Sequence, residues 1–310
     1  MSWMTMRKEV CLLVIYNHRY DANIKKINKI YQFRFKNIYH IMPFYDGNEE
    51  NVIPVYECSF RFEGYLAQAM QRIKEEYSYY FWIADDIVLN PEISENNYKQ
   101  WFGLNGENAF LPFVKSIHEM GAWSINREFM DPMPKLEWYK GTIWQDSIIS
   151  SKEAFEIAEC LGYEKEDFCV DLPMIWKARN KLGQYPRLFV LFFKTVFLGK
   201  QYCPYPIWGG YSDITIIPGD KMRKVGHMLG VFAAMGLFVE MAIPTAIMLI
   251  CKNIVQERDL EAKPLVMWSN EDRMAIEEKY NHDFNKMIRE WDKNCLYIHP
   301  VKLSGWNNIE

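Results

Sequence analysis

The sequence predicts an α/β fold with a largely parallel sheet, on three observations. Residues 10–16, 37–44 and 79–88 form nearly continuous apolar runs, the pattern of strands buried on both faces. Between these runs, apolar residues recur at helical spacing. Polar and charged side chains gather where each run ends, the edge at which open α/β sheets bind ligands.

The first strand, Val10-Cys11-Leu12-Leu13-Val14-Ile15-Tyr16, runs into Asn17, His18 and Arg19. Asp21 is placed to cap a helix whose inward face is Ile24, Ile27, Ile30 and Tyr31. The second strand, 37–44, closes on the turn signal Tyr45-Asp46-Gly47. Residues 52–55 make a short third strand, and 62–77 a helix with Leu66, Ala69, Met70 and Ile73 inward. Then comes Tyr79-Tyr80-Phe81-Trp82-Ile83-Ala84, ending in Asp85 and Asp86, after which Asn90-Pro91 turns the chain away. This β-α-β-(β)-α-β order is that of a Rossmann-type nucleotide-binding half. It puts Tyr16, Asn17, His18, Arg19 and Asp46 where a nucleotide would sit, although edge loops are polar in any fold. Two adjacent acids at that edge suit a divalent cation, which in turn holds a diphosphate. An acidic turn is the plain alternative.

Composition excludes several classes. With 310 residues, 49% hydrophobic and 16% aromatic, the chain has material for a large core and is not disordered. A net charge of -4 gives no overall footprint for nucleic acid. The seven cysteines are scattered without a Cys-x-x-Cys pair, which argues against a zinc site or disulfide framework and suits a reducing cytoplasm. No signal peptide precedes the first strand. Residues 225–251 are apolar but contain His227, Glu240 and Pro244, so two buried segments meeting near Glu240 are expected instead of a membrane span.

Residues 95–205 read less clearly. Helices are expected at 151–161 and 172–182 and a strand at 138–144. The apolar run 188–198 is too short to span a bilayer; it predicts a buried helix or strand, with monotopic membrane contact as the alternative. Further on, Gly209-Gly210 would let backbone approach a ligand closely, and Asp213 opens a β-branched strand. A helix follows over 220–235. Glu240 then stands alone in an apolar stretch, where a carboxylate must be paired, hydrogen-bonded or functional. Residues 269–291 predict one charged helix, followed by a short strand and His299-Pro300-Val301-Lys302. That motif supplies an imidazole for a metal and an ammonium for a phosphate.

Taken together, these motifs resemble the GT-A class of nucleotide-sugar glycosyltransferases, especially bacterial enzymes of surface-polysaccharide and lipopolysaccharide biosynthesis. The resemblance lies in Trp82-Ile83-Ala84-Asp85-Asp86-Ile87-Val88-Leu89-Asn90-Pro91, Trp208-Gly209-Gly210-Tyr211-Ser212-Asp213, Phe238-Val239-Glu240-Met241 and His299 with Lys302. It covers most of the first hundred residues and those from 206 onward. It implies a GT-A-like mixed sheet flanked by helices over 1–310, with a nucleotide half (1–94), an inserted acceptor-side segment (95–205) and a metal-closing half (206–310). It further implies a divalent metal, Mn2+ or Mg2+, on Asp86 and His299, with a UDP-linked sugar held by Tyr16, Asn17, Arg19, Asp46, Asp85 and Lys302. Glu240 matches the family's base, Asp213 belongs to the catalytic set, and Asp146 and Asp171 are rivals within the insertion. The implied enzyme is a hexosyltransferase acting on a glycan or lipid-linked acceptor, cytoplasmic or at the inner face of the membrane, with inversion at the sugar. Ala84 replaces the first acid of the family's Asp-x-Asp triplet, and the glutamate motif lacks its adjacent Asp.

Two other classes remain alternatives. A nucleotidyltransferase would show a Gly-rich, basic loop after the first strand, where this chain has Tyr16-Asn17-His18-Arg19. A non-catalytic glycan- or membrane-associated assembly protein on a degenerate transferase fold would fit Ala84 and the aromatic richness.

Overall fold

The computed structural model describes residues 7–121, 147–177 and 187–309. Strand β1 (Lys8–Ile15) lies inside the sheet, and helix α1 (Asp21–Tyr31) carries the chain across to β2 (Ile38–Pro43). Strand β3 (Val52–Val55) pairs parallel with β2, and helix α2 (Glu63–Arg72) crosses back to β4 (Tyr77–Ala84) on the other side of β1. The spatial order β3-β2-β1-β4, all parallel, is the expected Rossmann-type half.

After β4 come β5 (Val88–Leu89), α3 (Tyr98–Trp101), β6 (Ala109–Phe110), β7 (Lys115–Ser116) and α4 (Ile117–Met120). The next described segments contain α5 (Ser151–Cys160), β8 (Cys169–Val170), α6 (Leu172–Lys177), α7 (Arg187–Leu198) and β9 (Gln201–Tyr202). Strand β10 (Trp208–Gly209) leads to β11 (Ile214–Pro218), α8 (Gly219–Met235) and α9 (Val239–Cys251). The chain closes with β12 (Ile254–Val255), β13 (Lys263–Val266), α10 (Asn270–Lys279), α11 (Phe284–Arg289) and β14 (Cys295–His299). The main sheet is seven-stranded and mixed, in the order β12-β6-β11-β4-β1-β2-β3, with β11 antiparallel to both β4 and β6. Short pairs β7–β10 and β8–β9, and a three-stranded β13-β14-β5 sheet, complete the fold.

Alternation along the central strands divides the core between the two faces of the sheet. Cys11, Leu13 and Ile15, with Tyr80 and Trp82, join α2, α8 and α9 on one side. Val10, Leu12 and Val14, with Phe81 and Ile83, join α1 and the C-terminal residues Leu296, Val301 and Trp306 on the other. Helices α2 and α8 pack closely because small residues line the contact: a Cβ on Gly230 would stand 3.0 Å from that of Ala67, and one on Gly64 3.1 Å from that of Ala233.

Several expectations change. Asp21 is the first residue of α1 and pairs with Arg19 instead of capping the helix. Residues 269–291 form two helices, because Asn281 and His282 both take the left-handed conformation and Asp283 caps the second. The 95–205 segment is not wholly an insertion, since β6 belongs to the main sheet. Helix α7 is buried along one side only: Thr195 is 4% accessible, but Phe197 is 78% and Leu198 71% accessible. The strand expected at 138–144, and residues 178–182 of the helix expected at 172–182, lie outside the described residues. Residues 225–251 are two helices broken at Gly236, as expected, and among the described residues no helix is long and apolar enough to cross a membrane.

Glycine substitutions separate steric contact from helix propensity. A Cβ on Gly219 would lie 1.8 Å from the Tyr77 carbonyl oxygen, whereas one on Gly226 meets only the flexible Met70 side chain at 3.4 Å. Chemical unfolding of Gly219→Ala will show a loss of about 1–3 kcal/mol, and Gly226→Ala a change between none and a gain of about 1 kcal/mol.

Candidate functional site

The acidic pair sits where β4 ends. Asp85 N–H donates to the Ile15 carbonyl at 2.9 Å, which ties the pair to the end of β1. Asp86 is approached from two distant parts of the chain. Strand β5 pairs antiparallel with β14, setting Val88 against Ile298 and Leu89 against Tyr297. The chain then turns at a cis His299–Pro300 peptide, and Val301 N–H donates to the Asp86 carbonyl at 2.7 Å. His299 Nε2 thereby comes within 3.2 Å of Asp86 Oδ1, and the Lys302 ammonium bonds Asp86 Oδ2. From the other side, Ile214 of β11 pairs with Ile83, and Ala84 N–H donates to the Asp213 carbonyl at 2.7 Å. This leaves Asp213 Oδ2 3.7 Å from His299 Nε2.

Charge is distributed unevenly over the three acids. Burial pushes the Asp86 carboxyl up, but the His299 imidazole and Lys302 ammonium outweigh it and hold the group down at about 2. Asp85 is pushed up to about 6 by burial and by the neighbouring Asp86, only partly relieved by Asn23 Nδ2 at 3.0 Å from Asp85 Oδ2. Asp213 is raised by burial, with His299 opposing and Asp86 reinforcing the shift. The site therefore holds an ionised Asp86 between the Lys302 ammonium and the His299 imidazole, beside two acids that take up a proton more readily than usual.

The donor set has the chemistry of a hard-cation site, two carboxylates and an imidazole. Asp86 Oδ1 is buried with His299 Nε2 3.2 Å away but outside good hydrogen-bond geometry, so a cation entering between the two groups would find a lone pair on each. Among the described residues no three His, Cys, Asp or Glu side chains stand in ligating geometry, so Asp86, Asp213 and His299 approach a metal set without preforming it. Tyr211 bonds His299 Nδ1 through its hydroxyl, the outer partner that orients a ligating imidazole.

The other expected residues fall into two groups. Arg19 and Asp46 do meet at the edge, but pair with one another at 2.5 Å, and Arg19 also grips Asp21 at 2.8 Å. Asn17 and His18 are exposed beside them. Tyr16 faces the core instead, fully buried, with its hydroxyl 2.8 Å from His40 Nδ1. Glu240 is only half-buried and lies in the first turn of α9, not sealed within an apolar span. Its carbonyl accepts from Gly210 N–H at 3.0 Å, which fastens it three residues before Asp213. The Gly209–Gly210 pair serves the protein's own packing: a Cβ on Gly210 would lie 2.2 Å from the Phe113 carbonyl oxygen. Asp171 Oδ1 accepts from Met174 N–H at 2.9 Å at the start of α6, and Asp146 lies outside the described residues.

Sequence reasoning missed Asn23, Tyr211 and Trp268. Asn23 lies on α1 facing Asp85, and its type and helical position carried no signal. Tyr211 lies inside the glycine motif and was legible as part of it. Trp268, 78% exposed, stands edge-on to Tyr211 with ring centroids 6.0 Å apart, an aromatic surface at the rim of the site.

The Asp85 shift predicts a pH-dependent stability. With a folded value of about 6 against an ordinary 3.8, the folded protein binds this proton more tightly than the unfolded chain does. The stabilisation is full below the ordinary value and is lost as pH rises through 6. Asp85→Asn will therefore stabilise the metal-free protein by about 1–3 kcal/mol at pH 7.5, and by no more than about a third of that at pH 4.5. Urea unfolding in EDTA at the two pH values measures this, and an equal effect at both would remove the assigned shift. Comparison of the chain with family models and with curated proteins finds no match.

Proposed function

We propose that the protein is a GT-A-type glycosyltransferase that moves a sugar from a nucleoside diphosphate sugar, UDP-linked in the first instance, to a hydroxyl of a glycan or lipid-linked acceptor. The observation that carries this reading is the convergence of Asp86, Asp213, His299 and Lys302 at one edge of a mixed α/β sheet, with the Asp86 carboxylate buried between His299 and Lys302. Asp86, Asp213 and His299 are the residues that would hold Mn2+ or Mg2+. When bound, the cation supplies charge neutralisation for the leaving diphosphate.

The chain's own groups do the rest. Lys302 is half-exposed, so its ammonium has room to move from Asp86 to a phosphate oxygen and add to the stabilisation of the departing charge. Arg19 faces the same edge, and a diphosphate would compete with Asp21 and Asp46 for its guanidinium. Trp268 and Tyr211 offer an aromatic wall against which a sugar or base packs. In the transfer, an acceptor oxygen bonds to the anomeric carbon as that carbon's bond to the diphosphate oxygen breaks. The diphosphate keeps the electron pair, and the acceptor's proton passes to a carboxylate. Glu240 is the proposed base, held in place through Gly210, and a base facing away from the diphosphate gives inversion.

Thermal unfolding with UDP-, GDP-, dTDP- and CMP-sugars, with and without manganese, tests the donor site. One nucleotide at about 100 times its Kd will raise the midpoint by about 2–5 °C in a manganese-dependent way, and Asp86→Ala will abolish the shift. No shift with any donor would favour the non-catalytic assembly reading. Glu240→Gln will lower kcat by about 10²–10⁴ with donor KM and midpoint unchanged, and near-native turnover would remove Glu240 from the mechanism.

A further inference from the structure

Helix α7 has two apolar faces. Leu191 and Phe192 pack against the core cluster, and Thr195 is buried beside them. On the opposite side Phe189, Val190, Phe193, Val196 and Phe197 are 51%, 60%, 55%, 46% and 78% accessible. At about 100° per residue these five fall on one stripe about 120° wide. Phe193 and Phe197 lie parallel, 12° apart, with centroids 6.5 Å from each other. The neighbouring helix α6, which packs against α7, also exposes an apolar side chain, Leu172.

The chain segment that carries this stripe has charge of one sign. In a chain of net charge -4, residues 172–212 contain no Asp or Glu, and all their charged residues are Lys or Arg. Lys177, Lys194 and Lys200 are exposed on or next to the two helices. An apolar, aromatic face with lysines at its rim is complementary to an anionic lipid surface: the rings enter the acyl boundary while the ammonium groups stay with the headgroups. Twelve residues of helix reach about 18 Å, well short of the roughly 30 Å hydrocarbon core, so the helix would lie in the plane of the interface.

We infer that α7 is an in-plane anchor by which the protein docks on an anionic bilayer. This inference rests on exposure and charge alone and is independent of the glycosyltransferase reading. Its occupant is a lipid surface and not a second copy, because a copy would bring the like-charged lysines of the two helices against one another.

Co-sedimentation with vesicles tests it, using phosphatidylcholine alone or with about one-quarter phosphatidylglycerol. The native protein is expected to partition onto the anionic vesicles at least about tenfold more strongly than onto neutral ones, and several-fold less in about 0.5 M salt than in about 0.1 M. Phe193→Glu with Phe197→Glu, on an exposed face, is expected to keep the native circular dichroism and unfolding midpoint while losing at least about tenfold in binding. Lys194→Glu alone is expected to remove a smaller, salt-dependent part. The inference is overturned if the native protein stays in the supernatant with both vesicles, or sediments equally with both. It is also overturned if the double variant binds like the native protein, or if sedimentation velocity shows a native dimer that the double substitution makes monomeric.

Discussion

The candidate site depends on the way the C-terminal strand is clamped to the residues that follow the acidic pair. Asn90 N–H donates to the Leu296 carbonyl at 2.9 Å, Asn90 Nδ2 donates to the Cys295 carbonyl at 2.8 Å, and Val301 N–H closes on Asp86. These bonds bridge more than two hundred positions of sequence, and they decide where His299 and Lys302 stand. The apolar partners Val88, Leu89, Tyr297 and Ile298 are all buried, so the clamp is dry and its hydrogen bonds cannot be traded for water without cost. Moving Lys302 or His299 away from Asp86 would leave a buried carboxylate undercompensated, which is why strand pairing and site electrostatics stand or fall together.

The same burial acts in opposite directions on neighbouring groups. Asp86, between an imidazole and an ammonium, stays ionised far into acid, while Asp85 next to it has an amide and a like charge for company and holds its proton longer. A pair of acids driven apart in this way is the usual arrangement when one must bind charge and the other must not compete for it. Asp213, raised by burial and facing the same imidazole, belongs electrically with Asp85 although it arrives on another strand. None of this follows from the dipeptide Asp85-Asp86 itself; it follows from who is packed against each oxygen.

What was legible in the sequence was the part governed by local pattern. The apolar runs gave β1, β2 and β4, and residues 52–55 coincide with β3, because strands buried on both faces must be continuously apolar. The acids and the His299–Lys302 pair stood out because they interrupt or end such runs. The rest depends on non-local pairing. Asn90-Pro91 read as a turn away from the sheet, yet the two residues before it form β5 and receive β14. Tyr16 read as an edge residue because it ends a strand, but the buried imidazole of His40 draws its hydroxyl inward. Glu240 read as buried from the hydrophobicity around it, when a helix start at Val239 gives it a half-open position. Helix α7 read as core for the same reason, since composition does not say on which side of a helix its neighbours lie.

The direction of β11 has a geometric consequence. Because it runs opposite to β4, the chain leaves the edge bearing Asp213 and reaches the far end of the sheet at Pro218, beside Tyr79. Helix α8 must carry it back before Glu240 is reached, and its seventeen residues make a strut of about 25 Å. The strut is keyed to α2 along Gly226, Gly230 and Ala233, so its rotation and its length are both fixed by contact. One residue inserted or deleted within it would shift Glu240 by about 1.5 Å and turn it by about 100° relative to Asp213. The path between the two acids thus runs through a helix fixed by its contact with α2, and change in this chain is far more readily absorbed in its loops than in that span.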